Sequence, residues 1–260
     1  MHTQIQKEFE VEKKLVFISH ITEESELAQM LSEEIKKSYL GMLDIFVSSD
    51  GESLPAGGRW LDMIDNALTN SAIQISLCSP QSIKRPWINF EAGASWIRRI
   101  PVIPVCHSGL TKNQLPIPLA MLQATNIDSE TDLRALFDEL TKILGANQTP
   151  IIDYQMIINN AKKFSHKYTY LNKIKSAIYS ITSMINELNQ LFFSGKTQSM
   201  RIQIPDFQYM QLAPSLEILT QEGLINYAFN QTVMTGQGTF KGVNITLTKK
   251  YFEELLPMLK

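Results

Sequence analysis

The sequence predicts an α/β protein built on a parallel sheet, followed by a smaller helical and α+β region. Three observations carry that reading. Short apolar runs rich in β-branched residues recur at residues 15–19, 43–47, 72–78 and 101–106. Amphipathic stretches separate them, and parallel strands need helical crossovers of that kind. Past Gly145 and Pro150 the alternation stops, which puts a boundary at about 146–152.

Taken in order, LVFIS at 15–19 reads as a buried strand and His20–Glu24 as the turn at its end. From Ser25, the spacing of Leu27, Leu31 and Ile35 predicts a helix packed on the sheet. LDIFV at 43–47 is the second strand, and SSDGESLPAGGRW at 48–60 is a loop rich in Gly, Ser and Asp. A helix follows from Trp60 through Leu68, then a third strand, AIQISLC, at 72–78. Pro86 suits the first turn of the next helix, where its missing N–H is no loss. PVIPVC at 101–106 is a fourth strand whose prolines suggest an edge or a short element. Leu133, Leu136, Phe137, Leu140 and Leu144 mark one more helix over 131–144.

In the second region, Ile157, Phe164, Leu171, Ile178, Ile185 and their neighbours recur at helical spacing. Two helices are expected there, broken near Ser165–Thr169, either packing on the first domain or forming a dimerising hairpin. MRIQI at 200–204 and LINYAF at 224–229 read as strands flanking a helix over Leu212–Glu222. The turn TGQGTFKG, the strand VNITLT and a terminal helix from Lys249 follow. This order resembles a winged-helix module over about 170–260. LAPSLEILTQEG, at the recognition-helix position, has two glutamates and no Lys or Arg, which argues against nucleic acid as a partner.

Composition narrows the class. The 260 residues are 44% hydrophobic and 19% charged, with a net charge of -2, as in globular proteins of one large or two modest domains. Residues 1–145 carry -6 and residues 146–260 carry +4. No apolar run reaches the roughly 20 residues that cross a bilayer, and the N-terminal stretch is not signal-like, so neither membrane anchor nor export is expected. Cys78 and Cys106 both lie in strand-like runs and read as buried hydrophobes, in a reducing, cytoplasmic setting, with no metal site.

In α/β sheets of this kind ligands sit at the carboxyl ends of the strands. The edge loops are 19–24, 48–59 and 79–87. The most informative stretch is PWINFEAGASW at 86–96. Glu91 lies one turn from Trp87 on the same helix face, followed by small residues that let a backbone or a flat ligand come close. The alternative is a solvated glutamate favoured by the helix dipole, with Trp87 in the core.

VFISH at the first strand, DIFVSSDGESLPAGGRW at the second and AIQISLCSPQSIKRPWINFEAG at the third together resemble a TIR (Toll/interleukin-1 receptor) domain over 13–145, a flavodoxin-like fold. The resemblance implies an NAD⁺ glycohydrolase or cyclase that cleaves the nicotinamide–ribose bond, with NAD⁺ as substrate and no cofactor. Glu91, in the W-x-x-x-E arrangement with Trp87, stands at the family's catalytic position. His20 and Trp60 match places where the family lines its nucleotide site, and Trp87, Ser19 and Arg59 join them as candidate substrate-binding residues. Residues 48–59 become the loop that shapes the pocket and mediates TIR–TIR contact. SHI replaces the aromatic and basic residues that relatives often place in the first loop; Arg59 could supply the phosphate-facing charge, or be a solvated loop arginine. Ser19 could instead cap a turn. The implied setting is a prokaryotic antiviral effector, cytoplasmic and homo-oligomeric through TIR–TIR contacts, whose residues 153–260 regulate or assemble it, with room for a separate activating partner. The alternative is a non-enzymatic TIR signalling module.

Overall fold

A computed structural model describes residues 13–49, 59–235 and 238–259, with Ser49, Arg59, Trp60, Leu61, Asn230, Gln231, Thr235 and Gly238 described by their backbone alone. The chain divides between Tyr168 and Thr169 into two compact units.

The first unit is a parallel sheet of five strands in the flavodoxin-like order β2-β1-β3-β4-β5. These are β1 (Lys14–His20), β2 (Leu43–Ser49), β3 (Ser71–Cys78), β4 (Val102–Cys106) and β5 (Thr125–Asn126). Around them lie α1 (Ser25–Ser38), α2 (Arg59–Asn70), α3 (Pro86–Ile97), α4 (Glu130–Leu144) and the first part, up to Tyr168, of α5 (Tyr154–Met184). β4 pairs with β3 along its whole length but with β5 only at Val105 and Cys106. Pro104 therefore sits where one side of the strand lacks a ladder, as a residue without an N–H requires. α4 opens on the Ser129 hydroxyl, which accepts the Asp132 N–H at 3.3 Å, and closes at Gly145, whose φ of 72° is the left-handed C-cap.

Strand alternation sorts the side chains of β1 into two faces. Val16 and Ile18 join Leu27, Leu31, Ile35, Leu133 and Phe137 in the core under α1 and α4. Phe17 turns the other way, into a cluster with Ile64, Ala67 and Leu68 of α2, and Trp87 and Ala94 of α3 pack against it. Parallel register sets Phe17 beside Phe46 and Ser19 beside Ser48, so both serines face α3.

α5 differs from the sequence expectation. The break expected near Ser165–Thr169 is absent, and the helix runs unbroken for 31 residues. Its first half buries Tyr154, Ile157, Ile158, Ala161, Phe164 and Tyr168 in the core of the first unit. Polar residues such as His166 and Lys167 lie on the outward side, where they do not interrupt the ladder.

The second unit holds α6 (Leu188–Phe193), β6 (Ser199–Pro205), α7 (Asp206–Gln221), β7 (Ile225–Thr235), β8 (Gly238–Leu247), and a terminal π turn, Tyr251–Leu255, leading into α8 (Leu256–Leu259). Its antiparallel sheet has the order β6-β8-β7. α7 starts six residues before the expected Leu212, with Pro214 inside it. Ile181, Leu188, Phe192, Leu216, Val243 and Tyr251 form its core, and the Tyr251 hydroxyl donates to the Phe192 carbonyl at 2.6 Å.

Both cysteines are free and buried, as the strand patterns predicted. Burial pushes the Cys106 thiol up to about 11 and the Cys78 thiol well above its usual range. Neither is a thiolate near neutral pH, and neither is reachable. The native protein is expected to leave DTNB unreacted at about pH 8, and to release both thiols only on unfolding in guanidinium; titration of 2-nitro-5-thiobenzoate checks this.

Candidate functional site

α3 delivers the site. Arg85 is extended, with φ -82° and ψ 121°, as a residue before proline must be, and Pro86 occupies the first turn. Trp87 and Glu91 then follow one turn apart. Helix and strand geometry bring Glu91 over the carboxyl ends of β1 and β2, where Ser19 and Ser48 face it.

The Glu91 side chain is fully buried. The Ser19 hydroxyl donates to Oε2. Oε1 accepts the Trp87 indole N–H at 2.8 Å and the Ser48 hydroxyl at 3.3 Å. A carboxylate withdrawn from water is tolerated only when donors replace its hydration, and three elements supply them here. The first-turn glutamate bathed in solvent, one of the two sequence readings, is thereby excluded.

Trp87 is half-buried and stacks on Phe90 with ring centroids 5.1 Å apart. Its N–H on Glu91 makes it more than a core aromatic. Gly93, two residues on, has open space where a Cβ would stand among the described residues. His20 is buried at 3% exposure and ends β1 beside Ser49. Strand alternation turns it to the face opposite Ser19. The side chains of Arg59 and Trp60, and the loop residues 50–58, lie outside the described residues. The structure thus gathers Glu91, Ser19 and Trp87 and sets His20 on the opposite face of β1.

Sequence reasoning missed Ser48. It reads as the first residue of a loop, yet it is the sixth residue of β2, and only the register with Ser19 reveals that it faces Glu91. Also missed was a buried polar group on the other side of β1: Glu24, His107 and Tyr168, described below. Among the described residues no cluster of three or more His, Cys, Asp or Glu could hold a metal ion, and no helix is long and apolar enough to cross a membrane.

A 2-1-3-4-5 parallel sheet with a buried carboxylate at the carboxyl ends of its strands defines a flavodoxin-like α/β domain with its polar site on the ligand-binding edge. The sequence model of the TIR domain family matches residues 16–141, and that stretch of the chain is a TIR domain. Among solved structures, the chain is similar to a metazoan TIR-STING receptor from C. gigas in complex with 2',3'-cGAMP. That likeness has 14% identity and a TM-score of 0.36, and covers 92% of this chain and 70% of that one. A second structure of the metazoan TIR-STING receptor from C. gigas gives 15% identity, a TM-score of 0.34 and coverage of 87% and 69%. Likenesses this distant carry nothing further for the site. No curated protein matches the sequence.

Proposed function

We propose that the TIR domain cleaves the nicotinamide–ribose bond of NAD⁺, with Glu91 as the catalytic carboxylate. The observation that carries this reading is the buried Glu91, held by Ser19, Ser48 and Trp87 at the ligand edge of the sheet. TIR domains as a class include both NAD⁺-cleaving enzymes and signalling scaffolds.

The chemistry asks little of the protein. As the C1′–N bond breaks, its electron pair moves onto the nicotinamide nitrogen and neutralises it, so no acid has to protonate the leaving group. The positive charge passes to the ribose, and a fixed carboxylate beside it stabilises the developing oxocarbenium ion. Water captures C1′ and releases a proton, giving ADP-ribose; capture by an adenine nitrogen would give the cyclic product. Ser19, Ser48 and Trp87 hold the carboxylate in one orientation, so little reorganisation accompanies the reaction. Trp87 walls the nucleotide; His20 ends the same strand as Ser19 on its other face, and Arg59 and Trp60 are assigned to the nucleotide on the family resemblance alone.

Because Glu91 is fully covered in the single chain, catalysis requires that cover to open, and we assign the opening to TIR–TIR assembly. α3 presents Phe90, Trp96 and Ile97 to solvent at 59%, 62% and 77% exposure, an apolar stripe of the kind that marks association sites. The second unit, winged-helix-like in its order of elements, would regulate or assemble the enzyme through proteins rather than nucleic acid. α7 carries Asp206 and Glu217 and no Lys or Arg. The unpaired thiols fit a reducing, cytoplasmic setting, and a prokaryotic defence role is the setting the family resemblance implies.

The same α3 stripe favours the second reading, an adhesive TIR module without catalysis. Incubating NAD⁺ with concentrated protein and following free nicotinamide separates the two. Release is expected for the enzyme, and its absence in every assembled form leaves the adhesive module.

A further inference from the structure

Two loops frame the candidate site. One follows β1 directly from Ser19 and His20 and ends in a 3-10 turn, Thr22–Glu24. The other, residues 79–85, leads from β3 into α3 and so sets the position of Trp87 and Glu91. Ser19 is fixed by the pairing of β1 with β2 and β3, so the finer alignment of Glu91 with it depends on how the loop leading into α3 is held against the loop after β1.

Both loops meet at one phenol. The Tyr168 hydroxyl lies 3.4 Å from Glu24 Oε1, 3.0 Å from Gln81 Oε1 and 3.0 Å from Ser79 Oγ. A phenol has a single proton, so it donates to Glu24 or Gln81 while the Ser79 hydroxyl donates to it. Each loop is braced around that point. The Glu24 carboxylate, fully buried, accepts the Ile21 N–H at 3.3 Å and has His107 Nε2 3.2 Å away. Ser79 Oγ accepts the N–H groups of Gln81 at 3.2 Å and Ser82 at 3.1 Å. The Tyr168 ring is held separately, stacked on Phe164 at 5.2 Å with His107 at 5.9 Å. A second tie between the same loops, Arg85 to Glu23 at 3.2 Å, has side chains about a third exposed. Solvent screens such a pair, and its hold on the loops is weak.

We propose that the Tyr168 hydroxyl is a positioning group for the TIR site, pinning the β1 and β3 loops so that Ser19 and Glu91 stay in register. This rests on the reading of Glu91 as the catalytic carboxylate. Tyr168 makes no described hydrogen bond to Glu91 or Ser19. It acts from α5, outside both loops, and its ring would keep the core filled if the hydroxyl were lost.

The test is Tyr168→Phe in the full chain. Amide hydrogen exchange in residues 21–24 and 79–85 is expected to quicken roughly tenfold, the consequence of one lost buried hydrogen bond. NAD⁺ turnover is expected to fall roughly ten- to a hundredfold in kcat, with KM within about twofold, since misplacement rather than weakened binding is the defect. Ser165→Ala is the control. It deletes a hydroxyl from the same helix that meets Ser108, on the loop after β4, at 3.2 Å, and should change neither reading. Exchange in both loops equal to wild type overturns the proposal, and so does full turnover with both loops loosened. Glu91→Gln is measured alongside: if it turns over NAD⁺ like wild type, the catalytic reading fails, and the exchange result still decides whether Tyr168 holds the loops.

Discussion

Glu91→Gln is expected to lower NAD⁺ turnover by about a hundred- to a thousandfold, or roughly 2.7–4 kcal/mol, the usual loss when one preorganised electrostatic group is removed. The substitution keeps length, shape and hydrogen bonding. An amide oxygen can still accept the Trp87 N–H and the Ser48 hydroxyl that now bind Oε1 at 2.8 and 3.3 Å. The Ser19 hydroxyl, which donates to Oε2, can rotate and accept from an amide N–H instead. Only the charge disappears, and the charge is what an oxocarbenium ion requires. Circular dichroism and thermal unfolding should therefore match wild type while nicotinamide release collapses. Undiminished release from the folded variant would reduce Glu91 to a tie between α3 and the sheet.

The largest effect on stability is expected at Phe137. Its ring is fully buried, lies parallel to Tyr39 at 6.2 Å and meets the edge of Tyr154 at 5.9 Å. Its carbonyl accepts the hydroxyls of Tyr39 at 2.5 Å and Thr141 at 2.9 Å. Burial has already pushed the Tyr39 phenol up to about 12, so that group depends on its partners for hydrogen bonding rather than on water. Phe137→Ala leaves a cavity where the loop after α1, α4 and α5 converge. The expected loss is about 3–5 kcal/mol, which for a unit of this size lowers Tm by roughly 6–20 °C. Calorimetry on the full chain measures it. A shift under about 2 °C would mean that the aromatic cluster closes over the gap.

Much of the sheet was legible because its inner strands β1 and β3 are buried on both faces. LVFIS, LDIFV and AIQISLC are predominantly apolar, β-branched runs, and the crossovers between them show clear helical spacing. β5 was not legible: Thr125 and Asn126 pair with only two residues of β4, and no pattern of hydrophobicity can mark so short an element. α5 was misread for a different reason. Phe164 and Tyr168 belong to one core and Ile174 and Ile178 to another, so the apolar stripe changes partners midway and its periodicity blurs just where polar residues crowd.

The site divides in the same way. Trp87 and Glu91 are four residues apart, and a helix alone puts them together. Ser19 could be tied to Glu91 only by resemblance to a family, and Ser48 by neither spacing nor resemblance, because register between parallel strands is a property of the whole sheet. Glu24, His107 and Tyr168 come from three separate elements and meet through topology. No window on the sequence contains them all.

The unbroken α5 also governs how the protein can be dissected. A cut at the polar seam around 146–152 would remove Ile157, Ile158, Ala161, Phe164 and Tyr168, all with 7% exposure or less. Each buried apolar side chain forfeited there is worth roughly 1.5–3 kcal/mol, enough together to exceed the margin by which most domains stay folded. A shortened enzyme made that way would show a greasy flank over α1 and α4 and precipitate, and its silence toward NAD⁺ would say nothing about Glu91.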